Sequence, residues 1–494
     1  MALGRTAVVL GGSMAGLSAA GALAPYFDEV LVLERDELPP DAEHRRGVPQ
    51  SKHPHFLLNS GRRSIDALFP GFEEDLIKAG GMPLIASMDT AYLNEDGWGP
   101  RKKGALDMVY GSRILIERVL RDRVRQLPNV TIREGVSANG IITEGSRVTG
   151  ARFSSSAGDE EVAADLVVDA LGRGSSVSDW LVAAGWPKVP VKTLDAKVTY
   201  VSRWYDLPKP EEKSPTWWWK HMVIMPTQDK GQHPDEHEFL VNFFPIEGNR
   251  SIACMGSWGI DMPRTVEDFS ASADRLRTPQ FAAAMAACAP TSEVHLTRST
   301  GNKWRRYDML PSAPEGIVFI GDAICGFNPF YGQGMSAAAT SSVILRDALQ
   351  STTTLDQKFF RGLLVAQRNN LKVAWAMAMA RDRGYECATG TETVPTWQRK
   401  ILAAMTWPMF NVITGASRED AVIDEHFARV FNLDESIGAM MRNPRVIYGL
   451  LRFKVKSAFG RHKLPFGFDS QLEPPGTDWT LGAAEPDAAL AQIR

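Results

Sequence analysis

The sequence predicts an α/β (α+β) chain: a parallel-sheet domain interleaved with a second, β-rich domain and followed by a helical C-terminal region. Three observations carry this expectation. The N-terminus holds a complete strand, turn, helix and strand unit; two short apolar strands much later each run into a glycine turn; and beyond residue 335 strand-like alternation gives way to helical spacing. The length of 494 residues is about three times that of a typical single domain and calls for more than one core.

The N-terminal unit is the most specific of the three. Ala7, Val8, Val9 and Leu10 make a short buried-strand run, residues 17–23 a helix of small apolar residues, and Val30, Leu31, Val32 and Leu33 a second strand ending on Glu34. Between the first strand and the helix lie Gly11, Gly12, Ser13, Met14, Ala15 and Gly16. An acidic residue about 20 positions after the glycines is the spacing of a Rossmann-type dinucleotide site. Gly11 permits the tight turn and Gly16 lets helix and strand approach closely. The helix N-terminus offers unpaired N–H groups and a positive dipole end to a pyrophosphate. Glu34 can accept hydrogen bonds from an adenosine ribose, with Arg35 beside it. Ser13 stands where the GxGxxG pattern has its middle glycine and narrows the room for backbone approach. Arg5, the apolar stretch after it and the small residues 19–24 also have the outline of a secretory signal peptide. The ordered strand, turn, helix, strand and acid specify a βαβ unit instead.

The remaining elements follow in order. A polar stretch at 36–49 leads through Gln50, His53 and His55 into a helix expected from Phe56 to about Leu68. Tyr110, Gly111, Ser112 and Arg113 precede an amphipathic helix with Ile114, Leu115, Val119 and Leu120 at helical spacing. Residues 130–132, 140–142 and 148–153 read as a small meander, and Leu166, Val167, Val168 and Asp169 as a returning buried strand. The stretch 190–300 is strand-rich, with alternating aromatics such as Trp204, Phe243 and Trp258. Ile317, Val318, Phe319 and Ile320 form another buried strand that runs into Gly321 and Asp322. The expected division is a nucleotide-binding domain over 1–185 with a substrate-side insertion near 85–110, a β-rich substrate domain over 186–300, a return segment over 301–350 and a helical region over 351–494.

Three separated signals therefore occur in one order. They are the Gly11 to Gly16 turn with Glu34; the segment Leu171, Gly172, Arg173, Gly174, Ser175; and Gly321, Asp322, Ala323 followed by Pro329, Phe330, Tyr331, Gly332, Gln333, Gly334 and Met335. Together they resemble the FAD-dependent monooxygenases of the aromatic-hydroxylase superfamily. Within it, the run Arg46, Gly47, Val48, Pro49, Gln50, the pair His53 and His55, Asn328 with Pro329, and Gly332, Gly334, Met335 and Ser336 are similar to bacterial flavin epoxidases that act on polyenes in polyether biosynthesis. The resemblance covers about residues 5 to 350.

It implies a Rossmann-type FAD-binding domain in which the first turn, Glu34 and Arg35 hold the adenosine diphosphate. The loop from Arg45 to Gln50, with Arg46 and Gln50, lies over the flavin, Arg113 reaches the phosphates or the ribityl chain, and Asp322 contacts the ribityl chain. Pro329, Phe330, Tyr331 and Gly332 lie on the flavin side, and Gln333, Gly334 and Met335 open a helix whose N-terminus favours the negative charge of reduced flavin. His53 and His55 are placed near the flavin, without a covalent link. The implied reaction is epoxidation or hydroxylation of an apolar polyene, isoprenoid or polyketide-like substrate by O2 through a flavin C4a-hydroperoxide, in secondary metabolism. Many relatives have Asp-Gly in the second segment, where this chain has Leu171 and Gly172. That departure leaves the electron source open between NAD(P)H at the site and a separate flavin reductase. A reductase or dehydrogenase of the geranylgeranyl-reductase type, and a flavin-binding protein without turnover, are the alternatives.

Composition sets outer bounds. A net charge of −3 gives no bulk attraction to nucleic acid, and no nucleic-acid partner is expected. Cys254, Cys288, Cys325 and Cys387 are far apart and form neither a metal motif nor a disulfide framework, which fits a reducing cytoplasm. No 18-residue apolar run is present, so no spanning helix is expected. Trp217, Trp218 and Trp219 are read as core or interface, although the triplet resembles the paired tryptophans of flavin halogenases. Residues 436–468 carry seven Lys/Arg and no acidic residue, with apolar residues interleaved. The segment is either a helix packed on the flavin domain or a peripheral contact with an anionic membrane.

Overall fold

A computed structural model of the chain describes residues 3–460 except 95–96, 100, 103–106, 215, 227, 230–232, 235–238 and 298–299, together with 474 and 480–481. Five parallel strands organise its first layer. β1 (Gly4–Leu10) leads through α1 (Met14–Leu23) to β2 (Phe27–Leu33). After α2 (Asn59–Leu68) and α3 (Arg113–Arg125) come β3 (Val130–Arg133), β4 (Leu166–Asp169) and β5 (Ile317–Phe319). The strand order is β5, β4, β1, β2, β3. β4 is buried at every position, as expected of a parallel strand covered on both faces. Every residue of α1 except Ala15 is buried, which its small side chains allow.

Two expectations need correction here. Residues 130–132 do not belong to the meander. They pair in parallel with β2, Val30 against Val130 and Leu33 against Arg133, because α3 supplies the crossover that a parallel pair requires. The meander consists of Ser137–Glu144, Arg147–Ser155 and Gly158–Ala163. The helix expected from Phe56 begins at Asn59, since Phe56 is used to pack against Gly332.

The second layer is a large, mainly antiparallel sheet. Its spatial order runs Ala289–Pro290, Val198–Asp206, Arg250–Trp258, Leu240–Ile246, His221–Ile224, Thr90–Asn94, Gly97–Trp98. Strand alternation divides its side chains cleanly. Val201, Tyr205, Phe243, Ala253 and Met255 face a core closed by the helices Val266–Asp274 and Gln280–Ala286. Tyr200, Trp204, Phe244, Ile252, Cys254 and Trp258 face the parallel-sheet side, where Phe56 and Phe330 meet them. The tryptophan triplet lies outside any strand. Trp217 and Trp219 stack with ring centroids 4.9 Å apart against the first of these cores, and Trp218 lies under the Arg101 guanidinium at 5.0 Å.

The chain then returns through Asn302–Arg305, which pairs with Val191–Leu194 and Cys325–Gly326, and through β5. The helices α4 (Gly334–Gln350), α5 (Gln357–Asp382), α6 (Thr396–Ser417), α7 (Ala421–Phe431) and α8 (Pro444–Ala458) follow. α4 packs on α1 and α2. Asp356, Asp420 and Asn443 cap α5, α7 and α8 by accepting from backbone N–H groups of the first turn. α6, α7 and α8 share a small core of Ile413, Ala416, Ile423, Val430, Val446 and Leu450. Among the described residues, no helix is long and apolar enough to cross a membrane.

Candidate functional site

The first glycine turn is built for close approach. Gly11 has φ +103°, and a Cβ on Gly16 would lie 1.7 Å from the Gly11 carbonyl oxygen. Any larger residue at 16 would force α1 away from β1. Glu34 is fixed at the end of β2, where its Oε2 accepts from the Gly12 N–H at 2.7 Å and its Oε1 from the Asp36 N–H at 2.9 Å. Ser13 precedes α1 but does not cap it with its side chain. Its hydroxyl instead donates to Glu117 Oε2 at 2.9 Å and accepts from Arg113 Nη2 at 2.8 Å.

A buried charge cluster adjoins that turn. Arg113 and Glu117, one helical turn apart on α3, pair at 2.6 Å, and Arg45 Nε meets Glu117 Oε1 at 2.9 Å. Arg45 Nη1 also reaches Asp36 at 2.8 Å and Glu34 at 3.1 Å. Burial opposes ionisation of Glu117, but the Arg113 and Arg45 guanidiniums outweigh it and hold the carboxyl below its ordinary range. Arg113 Nη1 and Arg45 Nη2 are buried with no hydrogen-bond partner. Two unsatisfied cationic donors beside an uncapped helix N-terminus are a ready site for an anion such as a pyrophosphate. Arg46 and Gln50, expected over the cofactor, are exposed, and it is the neighbour Arg45 that turns inward. The Arg35 side chain is 64% exposed and lies toward Asp36.

The second end of the site lies where α1 and α4 meet. Gly321, at φ +65°, sits between them: its Cβ would be 2.8 Å from that of Ala15 and 3.4 Å from that of Ala338. Asp322 next to it pairs with Arg173 Nε at 3.1 Å, and Arg173 also donates to the Gly301 and Phe327 carbonyls. Arg305 is almost wholly buried and donates to four carbonyls, those of Asp322, Ala323, Arg173 and Ser175, at 3.0 to 3.3 Å. It therefore ties the second glycine segment to the third.

The residues between Asn328 and Met335 turn back into α4. The Asn328 side chain accepts from the Phe330 N–H at 3.1 Å, Pro329 follows it, and Gly332 takes φ +65° against Phe56. Gln333 is buried, its amide nitrogen 3.7 Å from Met377 Sδ and its Oε1 unpartnered; Gly334 opens α4 and Met335 enters the core. Behind this loop Asp382, fully buried at the end of α5, accepts from Tyr331 at 2.6 Å, Asn302 at 2.7 Å, Asn328 at 3.2 Å and Trp258 at 3.3 Å. Burial pushes its carboxyl upward, and the four donors act against that.

An apolar wall faces the loop. Tyr110 and Phe244 stack at 4.6 Å, Phe56 meets Phe244 edge-on at 4.8 Å, and Trp258 meets Phe330 at 4.6 Å. His53 is buried against the large sheet, with Nδ1 2.9 Å from Ser202 Oγ, and burial pushes its ring down to about 3. His55 is pushed down to about 4 by burial and the nearby Arg113 charge. Both rings are neutral at pH 7.

Asp169 binds its own loop rather than the site. It accepts from Ser175 Oγ at 2.6 Å and from the Leu171 N–H at 3.1 Å, and burial raises it to about 6. The folded chain thus holds a proton here that the unfolded chain releases near pH 4. Its contribution to stability is whole below pH 4 and falls by about 3 kcal/mol as pH rises to about 6. Urea unfolding at pH 4 and pH 7 should show that Asp169→Asn removes a loss of this sign; an unchanged pH dependence in the variant would contradict it.

No protein-family model matches the sequence. Protein Rv3254 of Mycobacterium tuberculosis (strain ATCC 25618 / H37Rv) is 32% identical over 447 residues, covering 87% of this chain and 90% of that one. The chain belongs to the Rv3254 family. Among solved structures, this Rv3254-family chain is similar to the flavin-dependent brominase Bmp2, with TM-score 0.62 and 12% identity over 93% of this chain and 100% of that one. It is also similar to p-nitrophenol 4-monooxygenase PnpA from Pseudomonas putida DLL-E4, with TM-score 0.60 and 17% identity over 87% and 99% of the two chains. PqsL, a probable FAD-dependent monooxygenase from Pseudomonas aeruginosa, matches with TM-score 0.57 and 15% identity over 81% and 99%. The Rv3254-family chain therefore has the α/β fold of FAD-binding monooxygenases and halogenases.

Glu117, Arg305 and Asp382 were not assigned by sequence reasoning. Glu117 had a usable signal, its i,i+4 spacing from Arg113. Arg305 and Asp382 had none, because their partners are distant in sequence.

Proposed function

We propose that this member of the Rv3254 family is an FAD-dependent monooxygenase that epoxidises or hydroxylates an apolar polyene, isoprenoid or polyketide-like substrate, as in the polyether epoxidases. One observation carries the reading: α1 and α4 meet at Gly321, next to Asp322, while two unpartnered buried guanidinium nitrogens flank the α1 turn. The residues fit FAD. The α1 N-terminus with Arg113 would hold the pyrophosphate, Glu34 the ribose, Asp322 the ribityl chain, and the N–H groups opening α4 the flavin ring.

When bound, FAD supplies activation of O2 and oxygen transfer. The chain's own residues set the conditions. The N-terminal N–H groups of α4 favour negative charge beside them. Asp382 fixes the loop from Asn328 to Gly332 through Tyr331 and Asn328. Phe56, Tyr110, Phe244, Trp258 and Phe330 exclude water and press an apolar substrate toward that loop. The fold shared with a p-nitrophenol 4-monooxygenase and a flavin-dependent brominase supports a flavin oxidation. Electrons come from NAD(P)H or a separate flavin reductase, and four unpaired thiols fit a cytoplasmic setting.

The test is turnover of polyene and isoprenoid substrates with reductant under isotopically labelled O2. The proposal expects O2 consumption and one labelled oxygen in the product. A reduced product without oxygen would favour the reductase alternative, and neither oxidation nor reduction across both substrate classes would favour flavin binding without turnover.

A further inference from the structure

The helices α6 and α8 expose apolar surface that the proposed reaction does not use. Trp397, Met405, Tyr448 and Phe459 are each 64–69% exposed, and Ile401, Met409, Leu451 and Val455 accompany them. The pattern is regular. On α6, Trp397, Ile401, Met405 and Met409 recur every four residues. On α8, Arg445, Tyr448, Arg452 and Val455 follow in steps of three and four, so basic and apolar side chains alternate along one face that Phe459, just past the helix end, extends. The fold does not need this surface, because each helix is anchored elsewhere: Ile413 and Ala416 in the last turns of α6 and Val446 and Leu450 of α8 pack with Ile423 of α7.

Charge selects the partner. Neither helix contains an acidic residue, whereas α6 carries Arg399 and Lys400 and α8 carries Arg445, Arg452, Lys454 and Lys456. Nearby acids are already engaged, Glu419 by Lys456 at 3.1 Å, Glu425 by Arg429 at 3.7 Å and Glu386 by Arg399 at 2.6 Å. Arg445, Arg452 and Lys454 are exposed. A second copy is a poor occupant, since a two-fold contact would set this basic face against itself. An anionic bilayer offers both acyl chains and negative headgroups. Arg461 and Lys463, at the end of the basic stretch 436–468, lie outside the described residues.

We propose that α6 and α8 form a docking surface for an anionic phospholipid membrane, lying in its interface rather than crossing it. Delivery of a lipophilic substrate from that surface rests on the proposed monooxygenase reading; the docking itself does not.

The test is co-sedimentation of the full-length chain with phosphatidylcholine vesicles, with and without phosphatidylglycerol. Binding to the anionic vesicles should be at least tenfold tighter and should weaken steeply in ~0.5 M salt. Arg445→Glu with Arg452→Glu should weaken it more than tenfold, at about fivefold for each basic side chain removed. Tyr448→Ser with Leu451→Ser should also weaken it, and thermal unfolding should show that both pairs of substitutions leave the fold intact. The lipid and salt dependence of the unmodified chain decides the matter even where a variant fails to fold. Equal or negligible binding to both vesicle types, or a dimer in sedimentation that the Tyr448 and Leu451 changes dissolve, would overturn the proposal. The assay needs no flavin chemistry, so its failure leaves the oxidation reading standing.

Discussion

Arg305→Met should be the most damaging single substitution. The methionine fills similar space but leaves the carbonyls of Asp322, Ala323, Arg173 and Ser175 without their shared donor. Each buried carbonyl left unpaired costs about 1–3 kcal/mol. Because they share one side chain the losses do not add, and a total on the order of 4 kcal/mol is expected. Urea unfolding should show this as a lower midpoint, and FAD should no longer be retained, since the segment bearing Asp322 is released from the segment bearing Arg173. Arg305→Lys keeps the charge without the fork that spans two loops, so it should fall between the two. A methionine variant that unfolds at the parent's urea concentration would show that the guanidinium is not the staple.

Gly16→Val should come next. Its Cβ would lie 1.7 Å from the Gly11 oxygen and 3.2 Å from Val9 Cγ1, with no flexible side-chain end to give way at the closer contact. α1 must then move off β1. Overpacking of this kind costs about 3 kcal/mol, and the same displacement opens the anion site at the α1 N-terminus. The expected result is at least a hundredfold weaker FAD binding, measured by fluorescence titration, together with a lower unfolding temperature. Parental affinity in the variant would mean that the turn does not hold the cofactor.

The parts of the fold legible in the sequence are those whose causes are local. β1, α1 and β2 are contiguous, and their glycines, small residues and terminal acid all point to one geometry. β4 and β5 announce themselves as short apolar runs before a glycine turn. Arg113 is named by the family resemblance alone; in the structure it opens α3 after Ser112, which caps it.

What was missed depends on tertiary contacts. Arg45 and Arg46 are adjacent and chemically alike, and only Glu34, Asp36 and Glu117, converging from β2, the loop after it and α3, select the first. Asp382 lies at the far end of a 26-residue helix from its capping residue and meets Tyr331 only after α4 and α5 fold back. The strand of residues 130–132 reads as part of the meander from its place in the chain, whereas the crossover through α3 puts it in the parallel sheet. Trp217 and Trp219 stack against the core of the large sheet, in keeping with a core or interface role, although the triplet lies outside any strand.

Purification of the full-length chain decides whether the meeting of α1 and α4 is a flavin site. The protein should carry, or take up on titration, one FAD per chain, show a visible flavin band that dithionite bleaches, and unfold at a higher temperature with FAD bound. A colourless protein whose spectrum and unfolding temperature do not change on adding FAD would contradict it.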